Sequence, residues 1–522
     1  MRVWLLLILG GFLSMPAQAQ SPQAQSPQAQ SPQAQSAQAQ SAQAQSAQAQ
    51  SPQAQSAQAQ SAFEASVEQI QAAALGEANA RFTSLVGLPE AEFRSRWNDI
   101  FDRNQARLDA VAAEYSISGL ELKRAAVPLI YGRAWGGAVF ASYHRQSPAG
   151  DPNYQPSDSY FSYLHGVDLA EAELLDQPDY LDFLSAHARS AGNLLTESDP
   201  RFRSGDHVGL RAALSVTAAY GNEATRCATD AALVTTALDS FGLDGLETIA
   251  SETQARCPAY TAGIETALAA EDQYRAPARR DVYKTVNGAD LALYIYEPVE
   301  AAPAGPGPTL VWFHGGGMSS GAWYWCVLCE AYRDAGWTVI SVEYRLFLRH
   351  GTGPSEGGED ALDALRHIQD HAAALAVDPD RIVTAGFSIG ANLAVGAGLL
   401  PQASDLRPAA SVSLSGCLSW QGDAFARTRV GSSDELVPLA ATHWLNAAAP
   451  PALFIHALDD PTCPVDRVAE HVASATGLGA EAELLPIESG GHFAMLRDAA
   501  ARNLAISGSL EFLARQGVQA SH

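Results

Sequence analysis

The stretch Gly386-Phe387-Ser388-Ile389-Gly390 decides the fold of the second half of this chain. An apolar segment, 381–385, precedes it and predicts a buried strand, and residues 391–400 have the composition of a helix. Glycines two residues before and two residues after a serine let the backbone turn sharply from strand to helix, which exposes the hydroxyl at the top of a sheet. Gly386 and Gly390 stand at these positions, so the setting predicts a nucleophile elbow with Ser388 as the nucleophile.

A serine hydroxyl is a poor nucleophile until a base takes its proton, so the prediction requires a histidine and an acid. His492 follows the last predicted strand, and Asp459 and Asp460 close the strand before it. The order Ser, Asp, His is the one that this sheet topology requires. Taken alone, the aspartates also fit an N-cap or a turn, and the histidine fits a surface loop. Their occurrence together predicts catalysis by Ser388, His492 and one of the two aspartates.

Three glycines follow another predicted strand, 309–313, in the segment Phe313-His314-Gly315-Gly316-Gly317. Glycine weakens a strand, so this position must need bare backbone. A phosphate cradle would want a lysine followed by serine or threonine, and the next residues, Met318-Ser319-Ser320, include no lysine. Attack on a carbonyl places negative charge on its oxygen, which pre-aimed N–H groups stabilise. The amides of Gly316, Gly317 and Ile389 are therefore predicted to form an oxyanion hole.

Strands and helices alternate from Asp281 onward. Further strands are predicted at 291–296, 337–343, 410–414, 452–457 and 483–485, with a helix over about 359–376. This alternation is typical of a mostly parallel sheet covered by helices on both faces. Residues 281–522 are therefore predicted to be one α/β domain.

These segments resemble the α/β-hydrolase superfamily, specifically esterases and lipases of the hormone-sensitive-lipase-like and feruloyl-esterase-like groups. The resemblance covers about 283–513 and is carried by His314 to Gly317, Glu343 to Leu346, Glu359-Asp360, Asp378 to Ile382, and His456 to Pro464. It implies an α/β-hydrolase fold, the activity of esterases, lipases and some peptidases, and no cofactor.

The resemblance also implies that Asp460 rather than Asp459 is the catalytic acid, because Pro464 follows Asp460 at the family's usual distance. Two features depart from the family. Ala391 replaces the usual glycine after the elbow, and residues 347–358 lack the usual Ala-Pro run. The pocket for the acyl or alcohol group is therefore not carried over.

The first 62 residues are predicted to lie outside any folded domain. Residues 1–19 combine one positive charge, an apolar run too short to span a bilayer and the small-residue pattern Ala17-Gln18-Ala19, which indicates a cleaved signal peptide. Residues 20–62 repeat Ser-Pro-Gln-Ala-Gln and Ser-Ala-Gln-Ala-Gln without a charge, which predicts a disordered tether. No cysteine precedes Cys227, so no lipid-anchored cysteine is expected. The mature protein is expected to be exported, to the periplasm or outside the cell, without a stable membrane anchor.

Residues 63–280 are predicted to be a helical domain of unknown role. Apolar residues recur at helical spacing at Phe93, Trp97, Ile100, Phe101 and Leu108. The histidines of this region, His144, His165, His187 and His207, show no metal-ligand spacing, so no metal site is predicted. Two roles stay open for the domain: a cap over the mouth of the hydrolase site, or an independent domain with its own partner.

The six cysteines are consistent with an oxidising compartment. Cys227 and Cys257 are the only pair in the helical region and are predicted to bond, and Cys417 and Cys463 follow consecutive strands at one end of the sheet, where they can meet. A third pair, Cys326 and Cys329, is interpreted as a mid-helix C-x-x-C, in which the two β-carbons are too far apart for an unstrained disulfide. A lone C-x-x-C is also weak evidence for zinc.

Three functions fit the pattern: a secreted serine carboxylesterase, a peptidase of the prolyl-oligopeptidase kind, and a hydrolase-like binding module without chemistry. The peptidase would carry a propeller of four-stranded blades rather than helices, and the binding module would have lost a triad member. The net charge of −25 at pH 7 argues against nucleic acid or an anionic membrane as a partner. The resemblance to esterases implies a small-molecule ester as the substrate. Trp420, Phe425 and Trp444 are predicted to supply an apolar wall beside the acyl or alcohol group, with core packing for at least one of them.

Overall fold

The computed structural model describes residues 52–147, 149–151, 153–300, 306–400, 407–419 and 440–520. The predicted signal peptide, 1–19, and residues 20–51 of the repeat lie outside this part of the chain. The helices of the first half are α1 (Pro52–Val86), α2 (Glu90–Tyr115), α3 (Gly119–Gln146), α4 (Pro178–Ser198), α5 (Val208–Thr217), α6 (Glu223–Phe241), α7 (Glu247–Arg256) and α8 (Ala262–Arg275). This half is helical, as predicted.

Strands and helices alternate in the second half. The strands are β1 (Arg279–Val286), β2 (Ala289–Tyr296), β3 (Thr309–Phe313), β4 (Thr338–Val342), β5 (Ile382–Phe387), β6 (Ala410–Leu414), β7 (Ala452–Ala457) and β8 (Ala482–Ile487). The helices are α9 (Cys329–Asp334), α10 (Phe347–His350), α11 (Pro354–Asp370), α12 (Ala372–Leu375), α13 (Ile389–Gly396), α14 (Val465–Gly477), α15 (Ala494–Arg497) and α16 (Ala499–Arg515).

All eight strands form one sheet in the order β1-β2-β4-β3-β5-β6-β7-β8. The pairs β1/β2 and β2/β4 are antiparallel, and every other neighbouring pair is parallel. The predicted mostly parallel sheet is thus confirmed. Because parallel strands end at the same edge, the loops after β3, β5, β7 and β8 meet there, which is where open α/β sheets place their sites.

Side chains of the central strands alternate between two apolar layers, one on each face of the sheet. Successive residues of a strand point to opposite faces. Leu293, Val311, Phe313 and Ile340 belong to one buried cluster, whereas their neighbours Tyr294, Leu310, Trp312 and Val339 belong to the other. Both faces of the central strands are therefore covered by apolar side chains.

The first strand was not predicted. β1 contains Arg279, Arg280, Asp281 and Lys284, and no residue of it is fully buried. An edge strand that is mostly exposed lacks the continuous apolar run by which a buried strand is recognised in a sequence. Since β1 begins at Arg279, the predicted domain boundary between residues 280 and 281 falls inside this strand.

The predicted disordered tether extends to residue 62, whereas α1 already begins at Pro52. Alanine and glutamine are good helix formers, and adding residues to an existing helix is easier than starting one. Phe63 anchors this helix in a buried cluster, and the side chain of Gln60 donates hydrogen bonds to Glu64 and Glu121. The repeat therefore contributes its last pentads to α1.

Helices α1 to α3 and α5 to α8 are buried in different ways. Side chains of α1, α2 and α3 form most of a cluster of their own, which includes Phe93 and Trp97. Residues of α5, α6 and α8, such as Leu210, Val234 and Ile264, instead join the cluster that covers one face of the hydrolase-like sheet. The later helices therefore share their core with the strands, so residues 63–280 and 281–522 do not have separate cores.

None of the helices described here combines the length and the apolar composition needed to cross a membrane.

Candidate active site

The nucleophile elbow is built as the sequence predicts. The fully buried strand β5 ends at Phe387, and α13 begins at Ile389. Ser388 between them has φ of 57° and ψ of −120°, a strained conformation for a residue with a side chain. Its side chain lies at the carboxyl edge of the sheet.

Close backbone contacts explain the two glycines of the elbow. A Cβ on Gly386 would lie 2.3 Å from the carbonyl carbon of Gly390, and a Cβ on Gly390 would lie 2.1 Å from the Phe313 oxygen. No side chain fits into either space. The elbow and the glycine segment after β3 are therefore packed directly together.

The structure brings Ser388, His492 and Asp460 into one hydrogen-bonded chain. His492 Nε2 lies 2.9 Å from Ser388 Oγ, and its Nδ1 lies 2.8 Å from Asp460 Oδ2. All three side chains are at least nine-tenths buried. His492 can therefore accept a proton from the hydroxyl while the carboxylate holds its ring in place.

Asp460 is surrounded by donors. Its Oδ1 accepts the amides of Thr462 at 2.8 Å and Cys463 at 3.0 Å, and its Oδ2 lies 3.2 Å from Nε2 of the buried His456. Burial alone would raise the pKa of Asp460, but the hydrogen bonds from His456 and His492 outweigh burial and hold this pKa well below its ordinary value. The carboxylate therefore stays ionised beside His492.

Asp459 contacts the histidine loop rather than the histidine ring. Its carboxylate accepts the amides of Gly490 at 3.2 Å and Gly491 at 2.8 Å, the two residues before His492. These two donors, with Gly491 first, lower the pKa of Asp459. The two adjacent aspartates thus hold the same loop at two points, a role for Asp459 that the sequence pattern did not indicate.

The glycine segment lies against the elbow. A Cβ on Gly315 would lie 2.8 Å from the Phe387 ring and 3.4 Å from Ser388 Cβ. Gly316 and Gly317 have φ of 114° and 63°, which favours glycine at both positions. Among the described residues, the amides of Gly316, Gly317 and Ile389 take part in no turn or loop hydrogen bond with another backbone group.

His314 fixes this segment from inside the protein. Its Nδ1 lies 2.7 Å from the Gly315 oxygen, and its ring stacks on Tyr344 with centroids 4.3 Å apart. The Tyr344 hydroxyl donates to the His314 carbonyl at 2.7 Å. Burial lowers the pKa of His314 to about 4, so the ring is neutral at neutral pH. His314 is thus a structural residue of the loop.

Helix α6 supports the residues that follow the glycines. The Gly321 amide donates to the backbone carbonyl oxygen of Ser240 at 2.9 Å, and the Tyr324 hydroxyl donates to the backbone carbonyl oxygen of Leu238 at 3.2 Å. These contacts place the helical half beside the predicted oxyanion loop, as a cap would require.

Three disulfides are present in the structure. The two predicted pairs, Cys227–Cys257 and Cys417–Cys463, have Cα atoms 5.3 and 5.1 Å apart. Cys326 and Cys329 are also bonded, with Cα atoms 5.4 Å apart. The expectation of a mid-helix pair is wrong, because α9 begins only at Cys329 and Cys326 lies in the turn before it. Outside a helix the two residues can approach closely enough to bond.

Of the three aromatic residues predicted to line the substrate, Trp420 and Phe425 lie outside the described residues. Trp444 packs against a buried cluster that includes Val395 and Phe454. Trp444, the one of these three residues that the structure describes, therefore packs in the core.

Residues 310–501 match a family model described as alpha/beta hydrolase fold. Ethyl acetate hydrolase of Pseudomonas putida is 37% identical over 112 residues, which are 21% of this chain and 35% of that protein. Carboxylesterase 3 of Homo sapiens is 36% identical over 126 residues, 22% of each chain. The chain thus spans about a third or less of the length of these relatives.

A solved structure of esterase 2 from Thermogutta terrifontis, phosphoramylated by tabun, is 28% identical and covers 48% of this chain and 98% of its own, with a TM-score of 0.44. The family match begins in β3 and covers the strands from β4 to β8, the elbow and the glycine segment described above. The second half of the chain thus has an α/β-hydrolase fold, and the two relatives named above are esterases.

Proposed function

We propose that this protein is an exported serine carboxylesterase that hydrolyses small carboxylic esters through an acyl-enzyme on Ser388. The observation that carries the proposal is the continuous contact from Ser388 Oγ to His492 and from His492 to Asp460, beside a glycine segment with available amides. A binding module without chemistry would have no need to keep this arrangement.

In the first half of the reaction, Ser388 Oγ attacks the ester carbonyl carbon while His492 Nε2 accepts the hydroxyl proton. The carbonyl oxygen becomes an oxyanion, which the amides of Gly316, Gly317 and Ile389 stabilise. The bond to the alcohol oxygen then breaks, and His492 returns its proton to the leaving alkoxide. The products of this half are the free alcohol and an ester between the acyl group and Ser388.

In the second half, His492 accepts a proton from water as the water oxygen attacks the acyl carbon. The new oxyanion occupies the same donors. Collapse breaks the bond to Ser388 Oγ, which regains the proton from His492. The carboxylic acid leaves, and the enzyme returns to its starting state.

Esters are favoured over peptides by the chemistry of the leaving group. An amide nitrogen must be protonated as it departs, and an endopeptidase also holds an extended chain by backbone pairing or a charged clamp. The described part of the helical half contains no blades of a propeller, the accessory domain expected for the peptidase. The proposal therefore names an ester substrate.

The test compares p-nitrophenyl esters of increasing acyl length with matched p-nitroanilides. We expect kcat/KM for the esters to exceed that for the anilides by orders of magnitude, and Ser388→Ala to abolish both reactions with the fold intact. Comparable values for ester and anilide would favour the peptidase instead.

Export is supported by the N-terminal sequence pattern and by the three disulfides. Intact-mass measurement on the protein secreted by a host with an export pathway should show cleavage after Ala19. Retention of the uncleaved chain in the cytoplasm would contradict export.

A further inference from the structure

The disulfide between Cys417 and Cys463 joins the loop after β6, which contacts the nucleophile, to the loop after β7, which carries the acid. Cys417 lies three residues after β6, and Cys463 lies three residues after Asp460. The bond connects positions 46 residues apart in the chain. In the part of the chain that the structure describes, neither of the other two disulfides makes a hydrogen bond with a member of the triad.

Cys417 contacts Ser388 directly. Its amide donates to the backbone carbonyl oxygen of Ser388 at 3.3 Å, and its Sγ lies 3.7 Å from Ser388 Oγ. Both sulfur atoms of the bond lie within 4.8 Å of a ring nitrogen of His492. One end of the disulfide is therefore part of the wall around the nucleophile.

Cys463 contacts the acid. Its amide donates to Asp460 Oδ1 at 3.0 Å, and its carbonyl oxygen lies 2.7 Å from Nε2 of His456, the second histidine on Asp460. Cys463 is buried. Cys463, at the other end of the disulfide, therefore contacts the Asp460 carboxylate through its own amide and also contacts His456, the second histidine beside that carboxylate.

We propose that the Cys417–Cys463 disulfide is a positioning element of the active site, which fixes the acid loop relative to Ser388 so that Asp460 meets His492 in the productive orientation. This inference rests on the proposed function of the site. It makes turnover sensitive to reduction: without the bond, the segment carrying Cys463 moves independently of the elbow, and Asp460 loses its fixed orientation.

The reduction step needs an added dithiol. A thiolate of dithiothreitol attacks one sulfur of the disulfide and releases the other as a thiolate, which takes up a proton. The second thiol of the reagent then displaces the first protein sulfur. Two protein thiols form, and the reagent leaves as a cyclic disulfide, so two electrons pass from reagent to protein.

The experiment compares the full chain carrying Cys417→Ala and Cys463→Ala with a matched control carrying Cys227→Ala and Cys257→Ala, a pair in the helical half. A misplacement of about 1 Å in a catalytic group costs on the order of 100-fold. We expect kcat for p-nitrophenyl acetate to fall about 10- to 100-fold in the first variant, with KM within about twofold of wild type. The control variant should keep its kcat at 25 °C.

Two further measurements separate positioning from general stability. In an Asp460→Asn background, removal of the Cys417–Cys463 bond should lower kcat less than about threefold, because a bond that acts through Asp460 has little left to position. The same 10- to 100-fold loss in that background would overturn the proposal. Dithiothreitol should inactivate wild type and the control variant, and leave the variant lacking Cys417 and Cys463 unchanged; further inactivation of that variant would also overturn it.

Near-UV circular dichroism follows the fold during reduction of the wild-type protein. Activity should fall while this signal persists, whereas a parallel loss of both would make the bond merely structural and overturn the proposal. A fluorophosphonate that reacts with activated serines distinguishes failure of the proposed function: labelling of Ser388 in the oxidised protein upholds that function whatever the disulfide variants show.

Discussion

Arg349 of α10 joins the two halves of the protein through Asp206. Its Nε lies 2.8 Å from Asp206 Oδ1, in the loop before α5, and its Nη1 lies 3.0 Å from Glu343 Oε1, immediately after β4. The guanidinium is buried. Burial raises the pKa of Glu343 to about 7, although Arg349 opposes the rise. A single cation therefore neutralises carboxylates from both halves.

We expect Arg349→Met to lower the free energy of unfolding by about 3–5 kcal/mol at pH 8, because Glu343 would remain buried without its cation. Folding raises the pKa of the Glu343 carboxyl, so the contribution of this carboxyl to the stability of the protein falls as pH rises through that pKa. The loss of stability caused by Arg349→Met should therefore be smaller at pH 6, where Glu343 takes up a proton. Urea unfolding at both pH values measures the effect. Arg201→Met, which removes an exposed ion pair with Asp199, should change the unfolding midpoint little. An equally small effect of Arg349→Met would contradict the account.

Asp460→Asn should lower kcat by about 10³- to 10⁴-fold, because an amide cannot hold the His492 ring in the required tautomer and stabilise its positive charge. Asp459→Asn should cost less than about tenfold, since an amide oxygen can still accept from Gly491 and the ring keeps its own partner. Steady-state kinetics of the two variants on one ester gives the ranking. The reverse ranking would assign the catalytic role to Asp459.

Gly316→Ala should lower kcat by about 100-fold or more. The added Cβ would lie 1.8 Å from the backbone carbonyl oxygen of Ser320, so the loop must shift and its amides must change direction. Gly396→Ala in α13 is the matched control, because a Cβ there meets nothing within 4 Å. Kinetics with a thermal melt of each variant separates a shifted loop from an unfolded protein. Wild-type kcat in a folded Gly316→Ala would show that this loop does not stabilise the oxyanion.

Asp239→Asn should make stability less dependent on pH. Burial raises the pKa of Asp239 to about 6 from its ordinary 3.8. The folded state therefore binds more protons between these values, and stability falls as pH rises from about 4 to about 6. Since the side chain is partly exposed, we expect the variant to gain only about 1–2 kcal/mol over wild type at pH 8, and nothing near pH 3.5.

Urea unfolding across that pH range measures the Asp239 effect. Asp272→Asn, on the exposed face of α8, serves as the control. A gain for Asp239→Asn that is the same at both ends of the range would show that ionisation of Asp239 is not its cause.

Buried strands were predictable to the residue where their apolar runs are short and bounded. β3, β6 and β7 have the predicted limits, 309–313, 410–414 and 452–457. β1 was missed because its charged residues hide an edge strand, and the helix predicted from about residue 359 begins earlier, at Pro354. Proline suits the first helical position, so the start signal was present in the sequence.

The triad was predictable because each member follows a recognisable strand, and strand order then places the three together. The supporting contacts were not. Asp459 meets Gly490 and Gly491 only across 31 and 32 residues of sequence, and nothing in its local sequence distinguishes it from Asp460. His456 is part of the resemblance to the family, yet its contact with Asp460 depends on how the loop after β7 folds back.

The buried cluster that the two halves share could also not be predicted from the sequence. Apolar periodicity predicts that a helix buries a face, but not which partner that face meets. Leu210, Val234 and Ile264 pack with strand residues rather than only with other helices. The boundary inferred from the change in sequence pattern near residue 280 therefore divides a cluster that contains both helix and strand residues.

The most direct test of the account is to trap the acyl group on the protein. The full chain is mixed with a p-nitrophenyl ester, quenched in acid within the first turnovers, digested and analysed by mass spectrometry. We predict one acyl adduct on the peptide that contains Ser388, formed with a burst of p-nitrophenol, and neither adduct nor burst in Ser388→Ala. Turnover by Ser388→Ala, or an acyl group carried by another residue, would contradict the central claim.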